Sequence, residues 1–145
     1  MTNPAAVPLP IARLFDAYAA AVLAKDVDAL LALYDPDVRV FDLWGEWSYE
    51  GRGAWRLAVA GWFGSLGSER VAVGVDDVQT VVGHDVAVAH AFVTYRALSA
   101  GGEPLRAMQN RLTWALRQRA GAWAVVHEHT SAPIDFATTR AVLRR

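Results

Sequence analysis

Residues 37–47 read DVRVFDLWGEW, and within them a single carboxylate, Asp42, sits between apolar neighbours in VFDLW. Strand alternation puts Asp42 on the same side as Val38, Val40 and Trp44, so it faces whatever those residues pack against; Phe41 and Leu43 are apolar too, and if they take the inward face Asp42 lies on the surface. An apolar pocket raises a carboxyl pKa, by up to about 3–5 units when burial is complete. Such a group can take a proton from a weakly acidic C–H bond or give one during dehydration. The alternative is an ion pair with Arg111 or another arginine, which would lower the pKa instead.

A second polar series lies near the other end, in WAVVHEHTS at 123–131. Under period-2 alternation Trp123, Val125, His127, His129 and Ser131 share one face, and Ala124, Val126, Glu128 and Thr130 the other. Two histidines on one face suit hydrogen bonding or acid/base work near neutral pH. As metal ligands they would need a third partner, such as Asp42 or His90. The H-E-H run lies on a strand and lacks the helical HExxH spacing, so no metal is expected. His90 falls with Val86, Val88 and Phe92, as a core histidine or a pocket wall. Arg111 stands mid-strand, where a buried charge needs a partner. Trp44, Trp47, Tyr49, Trp55, Trp62 and Trp114 either line a pocket for a ring-shaped ligand or fill the core.

The elements that must position these groups follow from periodicity. Residues 1–9 read as a flexible leader, 10–136 as one folded domain and 137–145 as a tail that is a short helix or a frayed end. Ile11, Leu14, Phe15, Tyr18 and Val22 have helical spacing. Asp26 caps a second, shorter helix carrying Leu30, Leu31 and Leu33 or Tyr34, which ends at Asp35-Pro36-Asp37. Residues 38–44 are a strand, and GEWSYEGRG is a loop. A third helix places Trp55, Val59, Trp62, Phe63 and Leu66 along one side. Gly61 and Gly64 either allow close packing there or end the helix early. Four strands follow near 70–82, 86–98, 105–118 and 122–131, joined by short turns and therefore antiparallel. Helices first and a β-meander after predict an α+β domain, its curved sheet covered on one face by helices.

Composition narrows the function classes. The 145 residues are 54% hydrophobic and 20% charged, enough for one full core. Lys and Arg total 14 against 15 Asp and Glu, so no field of one sign favours nucleic acid or an anionic membrane. Cysteine is absent, which removes thiol nucleophiles and thiolate metal sites. MTNPAAVPLP lacks the basic start and apolar core of a signal peptide, so a cytoplasmic location is expected.

The order of helix, helix, strand, helix and four long strands resembles the nuclear-transport-factor-2-like superfamily. YAAAVLAKDVDALLALYDPDVRVFD, YEGRGAWRLAVAGWF and WAVVHEHTSAP are similar to SnoaL-like members over about residues 10–136. The resemblance implies a cystatin-like roll: a cone-shaped, curved, mixed sheet with three N-terminal helices on its concave face. Within the first fifty residues the similarity to ketosteroid isomerase is closer. That enzyme combines an aspartate base with a tyrosine and a protonated carboxylic acid in its oxyanion hole. The resemblance implies that Tyr18 donates to a substrate oxyanion and that Asp42 acts as base. The second acid of that pattern is missing, since RAMQNRLTWAL offers Asn110 or Arg111 near its place. Scytalone dehydratases use tyrosines, histidines and an aspartate without metal, residue types that Tyr18, Asp42, Tyr49, His90, His127, His129 and Ser131 also supply.

These readings lead to a cofactor-independent isomerase, cyclase or dehydratase for a hydrophobic cyclic or polyketide-like molecule. Asp42, His127, His129 and Tyr18 would act on the substrate. Trp44, Trp47, Tyr49, Trp62, His90, Arg111, Trp114 and Ser131 would bind it. The competing expectation is a non-catalytic ligand-binding or assembly module, and a homodimer is expected under either.

Overall fold

The computed structural model describes residues 6–145; residues 1–5, the front of the expected leader, lie outside the described residues. Helix α1 (Leu9–Ala24) buries Ile11, Phe15, Tyr18, Ala21 and Val22 along one side. It accommodates Pro10 in its first turn, where a missing N–H costs nothing. It ends at Lys25, left-handed at φ 52°, whose N–H returns to the carbonyls of Ala21 and Val22. Asp26 then caps α2 (Val27–Leu31) by accepting from the Ala29 amide at 3.0 Å.

α2 is shorter than its sequence suggests, because Tyr34 already opens strand β1 (Tyr34–Phe41). Tyr34 pairs with Val125 and Arg39 with His127, so Pro36 falls in the irregular stretch between them and leaves no ladder bond unmade. From Val38 to Asp42 the alternation is regular, with Val38 and Val40 fully buried. Part of the expected loop is a short strand, β2 (Tyr49–Glu50), antiparallel to β1. Helix α3 (Arg52–Ser65) follows Gly51 and buries Trp55, Val59 and Phe63. Neither expectation for its glycines holds. The helix runs through Gly61 and Gly64, and a Cβ at either would meet open space. Gly61→Ala is therefore expected to stabilise the fold by about 0.5–1 kcal/mol, visible as a higher thermal midpoint.

Strands β3 (Arg70–Val82), β4 (Val86–Leu98), β5 (Pro104–Arg119) and β6 (Ala122–Ser131) form the antiparallel meander. β6 then runs parallel to β1, giving one mixed sheet in the order β2-β1-β6-β5-β4-β3. α1 packs on β3 and α3 on β1, so the helices cover the concave side of an α+β domain. No helix among the described residues is long and apolar enough to cross a membrane.

One irregularity decides the site. Ala115 pairs with His127 but Leu116 pairs with Val125, which leaves Val126 as an extra residue in β6. Such a bulge exchanges the two faces of every residue beyond it. Val125 is buried before it, and Glu128 and Thr130 are buried after it.

The tail is neither helix nor frayed. Ile134 bridges Ala141, the Leu143 carbonyl accepts from the Gln109 amide (2.7 Å), and the Arg145 guanidinium lies 4.2 Å over the Phe92 ring. A single backbone bond thus ties it to β5 beyond the end of β6.

Candidate functional site

A cavity of about 520 Å³ opens between the helices and the concave face of the sheet. Its wall is apolar along α3 and the outer strands, with Trp44, Tyr49, Trp55 and Trp62 among the lining residues. Most of its polar groups gather where α1, the end of β1, β4, β5 and β6 converge: Tyr18, Asp42, Tyr95, Asn110, Glu128 and Thr130; Arg106 of β5 also lines it, ion-paired with Glu69 at 2.7 Å.

Asp42 reaches the cavity because β1 keeps its alternation up to that point. The Thr130 hydroxyl donates to Asp42 Oδ1 at 2.9 Å and accepts from the Leu43 amide at 2.8 Å, which fixes the carboxyl against β6. Burial raises the Asp42 pKa above its ordinary 3.8, and the bonds from Thr130 and the amides of Trp44 and Leu43 oppose that rise without cancelling it. No ion pair reaches Asp42 among the described residues, and Arg111 instead donates to Ser131 Oγ at 3.0 Å. Gly45 shapes the lip beyond it: at φ 80° it holds a turn in which a Cβ would lie 2.5 Å from the Tyr49 hydroxyl.

The Tyr18 and Tyr95 hydroxyls stand 2.9 Å apart. Desolvation raises both pKa values, so both groups stay protonated through neutral pH. The pair holds two protons and uses one between its members, leaving one to donate elsewhere. Asn110 takes the cavity-facing position of β5, and its Oδ1 is buried without a partner.

Glu128 is the group that alternation misplaces. It is 1% exposed, and its Oε1 accepts from Tyr34 Oη at 2.6 Å and from Trp114 Nε1 at 2.8 Å. Burial pushes its pKa up to about 7, the two donors oppose the rise, and the Asp42 charge adds to it. The linkage sign follows. The unfolded chain releases this proton near 4.5 and the folded protein near 7, so stability from this group falls as pH rises across that window. Glu128→Gln is expected to flatten the loss of thermal stability between those values, measured by melts at a series of pH values.

Several expected site residues lie elsewhere. His127 and His129 occupy the opposite, convex face because of the Val126 bulge; they pack edge-on against Phe41 at 4.9 and 5.6 Å. His127 Nδ1 donates to the Arg39 carbonyl at 2.7 Å. His129 borders a second, outer pocket of about 430 Å³ that Phe41, Asp42, Leu43, Glu46 and Trp47 also line, so it reaches Asp42's outer side but not the cavity under the helices. Arg111, Ser131 and the exposed His90 share that convex face. Trp47 is 97% exposed beyond the mouth of the cavity. Trp114 lies under the polar end as fully buried core, stacked on Phe15 at 4.4 Å. Tyr18, Asp42, Trp44, Tyr49 and Trp62 do border the cavity. Tyr95 is absent from the expected set; the period-2 series Val93, Tyr95, Ala97 is the signal that carries it.

This fold has parallels among known proteins. The family model for the SnoaL-like domain matches residues 11–135. The chain belongs to the SnoaL-like domain family. Among solved structures it is similar to an NTF2-like protein of unknown function from Pseudomonas putida KT2440, with 26% identity, 92% of this chain and 91% of that chain covered, and a TM-score of 0.80. Aln2 from a Streptomyces species shares the fold at 12% identity, covering 85% and 88%, with a TM-score of 0.76. A putative calcium/calmodulin dependent protein kinase II association domain from Xanthomonas campestris does so at 21% identity, covering 91% and 95%, with a TM-score of 0.73. Other neighbours are described as having a cystatin-like fold, which is the architecture of this SnoaL-like domain. No curated protein matches the chain at a significant level.

Proposed function

We propose that this SnoaL-like domain is a cofactor-independent acid/base enzyme that isomerises, cyclises or dehydrates a hydrophobic cyclic or polyketide-like molecule. The observation that carries the reading is Asp42: a desolvated carboxyl, in no ion pair among the described residues, held by Thr130 at the polar end of a largely apolar cavity. Desolvation makes its carboxylate a stronger base than one in water. Tyr18, backed by Tyr95, supplies the donor that polarises a substrate oxygen. The aromatic wall takes the ring system.

A test without the natural substrate uses 5-nitrobenzisoxazole. A base removes its C3 proton, the electron pair completes a nitrile as the N–O bond breaks, and the ring opens to a coloured cyanophenolate. Saturable turnover above that of acetate at equal carboxylate concentration is expected. Turnover that never saturates, or that matches acetate, would remove the reading.

The second reading is assembly through the convex face, where Val81, Val86 and Val88 are exposed side by side. Burying such a patch favours a homodimer. Sedimentation velocity is expected to show a dimer that Val88→Glu converts to monomer.

A further inference from the structure

Glu128 is not used by the scheme above, yet it sits in the same cavity. Its Oε1 is saturated by Tyr34 and Trp114, while no donor among the described residues reaches Oε2. Thr130, which holds Asp42, is the next residue on the same face of β6, about 7 Å from Glu128 along the backbone, so the two carboxyls are anchored at neighbouring same-face positions of one strand. The titratable groups that face Glu128 are Tyr34 from β1, Asp42 just past its end, Tyr18 from α1 and Tyr95 from β4, and none of these is a cation. A buried acid without a cation keeps its proton more readily than an exposed one. Complete burial and the nearby Asp42 both act in that direction on Glu128.

We propose that Glu128 is the proton donor that works with Asp42, so that this cavity serves elimination of water from β-hydroxy carbonyl compounds rather than simple migration of a double bond. Asp42 takes the proton from the carbon beside the carbonyl, and its electron pair forms the new C=C bond. The C–O bond at the neighbouring carbon breaks, Glu128 protonates the departing hydroxide, and water leaves. Asp42 then gives its proton to solvent and Glu128 recovers one. A migrating double bond needs one carboxyl that returns the same proton. Two separately held carboxyls handle two protons on two atoms. This proposal rests on the reading of Asp42 above.

The test compares two leaving groups. In unsubstituted benzisoxazole the departing oxygen is more basic than in the 5-nitro compound and gains more from a proton donor. Glu128→Gln is expected to slow elimination of the unsubstituted compound about tenfold or more while changing the nitro compound less than about threefold. Asp42→Asn should slow both alike. In the wild-type protein, with no variant to fold, the rate ratio of unsubstituted to nitro compound should fall as pH rises through about 7. Equal effects of Glu128→Gln on both compounds, or a ratio independent of pH, would overturn the donor role and leave Asp42 as base. Absence of saturable turnover with either compound would overturn both.

Discussion

Asp42→Asn is expected to lower saturable elimination of 5-nitrobenzisoxazole by about 10²–10⁴-fold, the usual contribution of a positioned base. Asparagine keeps the shape of the side chain and an oxygen that accepts from Thr130 Oγ1, which lies 2.9 Å from Asp42 Oδ1, but it cannot take a proton. The wild-type rate should rise with pH through a midpoint above 3.8, because only the carboxylate is basic and burial delays its formation. Stability should move the other way. A raised pKa means that ionising Asp42 costs folding energy above its ordinary pKa, so the variant should melt no lower than wild type at about pH 8. A rate within about threefold of wild type would place the base elsewhere.

Trp114→Ala is expected to have the largest effect on stability. The indole is fully buried, stacks on Phe15 at 4.4 Å and meets Tyr18 edge-on at 5.9 Å. Removing a large buried ring costs about 3–5 kcal/mol through lost contacts and the cavity left behind. It also removes one of the two donors to Glu128 Oε1, which the remaining bond from Tyr34 cannot replace. Thermal melts should fall by on the order of 10 °C or more. Trp47→Ala is the control, since a 97% exposed ring should matter by about 0.5 kcal/mol or less. A Trp114→Ala protein that melts within a few degrees of wild type would show that this floor is not built as described.

The direction of Asp42 is legible in the sequence because β1 is regular over the residues that matter. Val38 and Val40 are fully buried, and the next residue of the same parity must follow them inward. The direction of the histidines is not legible. In Ala124-Val125-Val126-His127 two adjacent valines can each be the inward residue, and the choice is made by pairing with β5, on which Leu112, Trp114 and Leu116 already face the core. Bulges answer to such non-local pairing and leave little local trace. The same shift turns Glu128 from an outward acid into the best buried one. Tyr34 is hidden for a different reason. It follows a leucine run of helical spacing, and only contact with β6 ends that helix early and sends the hydroxyl to Glu128.

The strand limits themselves are readable, since Gly83, Gly101-Gly102 and Gly121 mark turns that the sheet requires. Ala120 and Gly121 both adopt positive φ, at 50° and 81°, in the turn between β5 and β6. The tail is not readable, because its place is defined by the stretch of β5 that β6 leaves unpaired.

The most direct measurement is the titration of the Asp42 side-chain carboxyl carbon by NMR, assigned through Asp42→Asn. A midpoint above 3.8 is expected, because burial outweighs the bonds from Thr130 and the Trp44 and Leu43 amides and no ion pair among the described residues adds to them. A midpoint at or below 3.8 would mean a solvated or cation-paired carboxylate, and the proton-transfer role of this cavity would be contradicted.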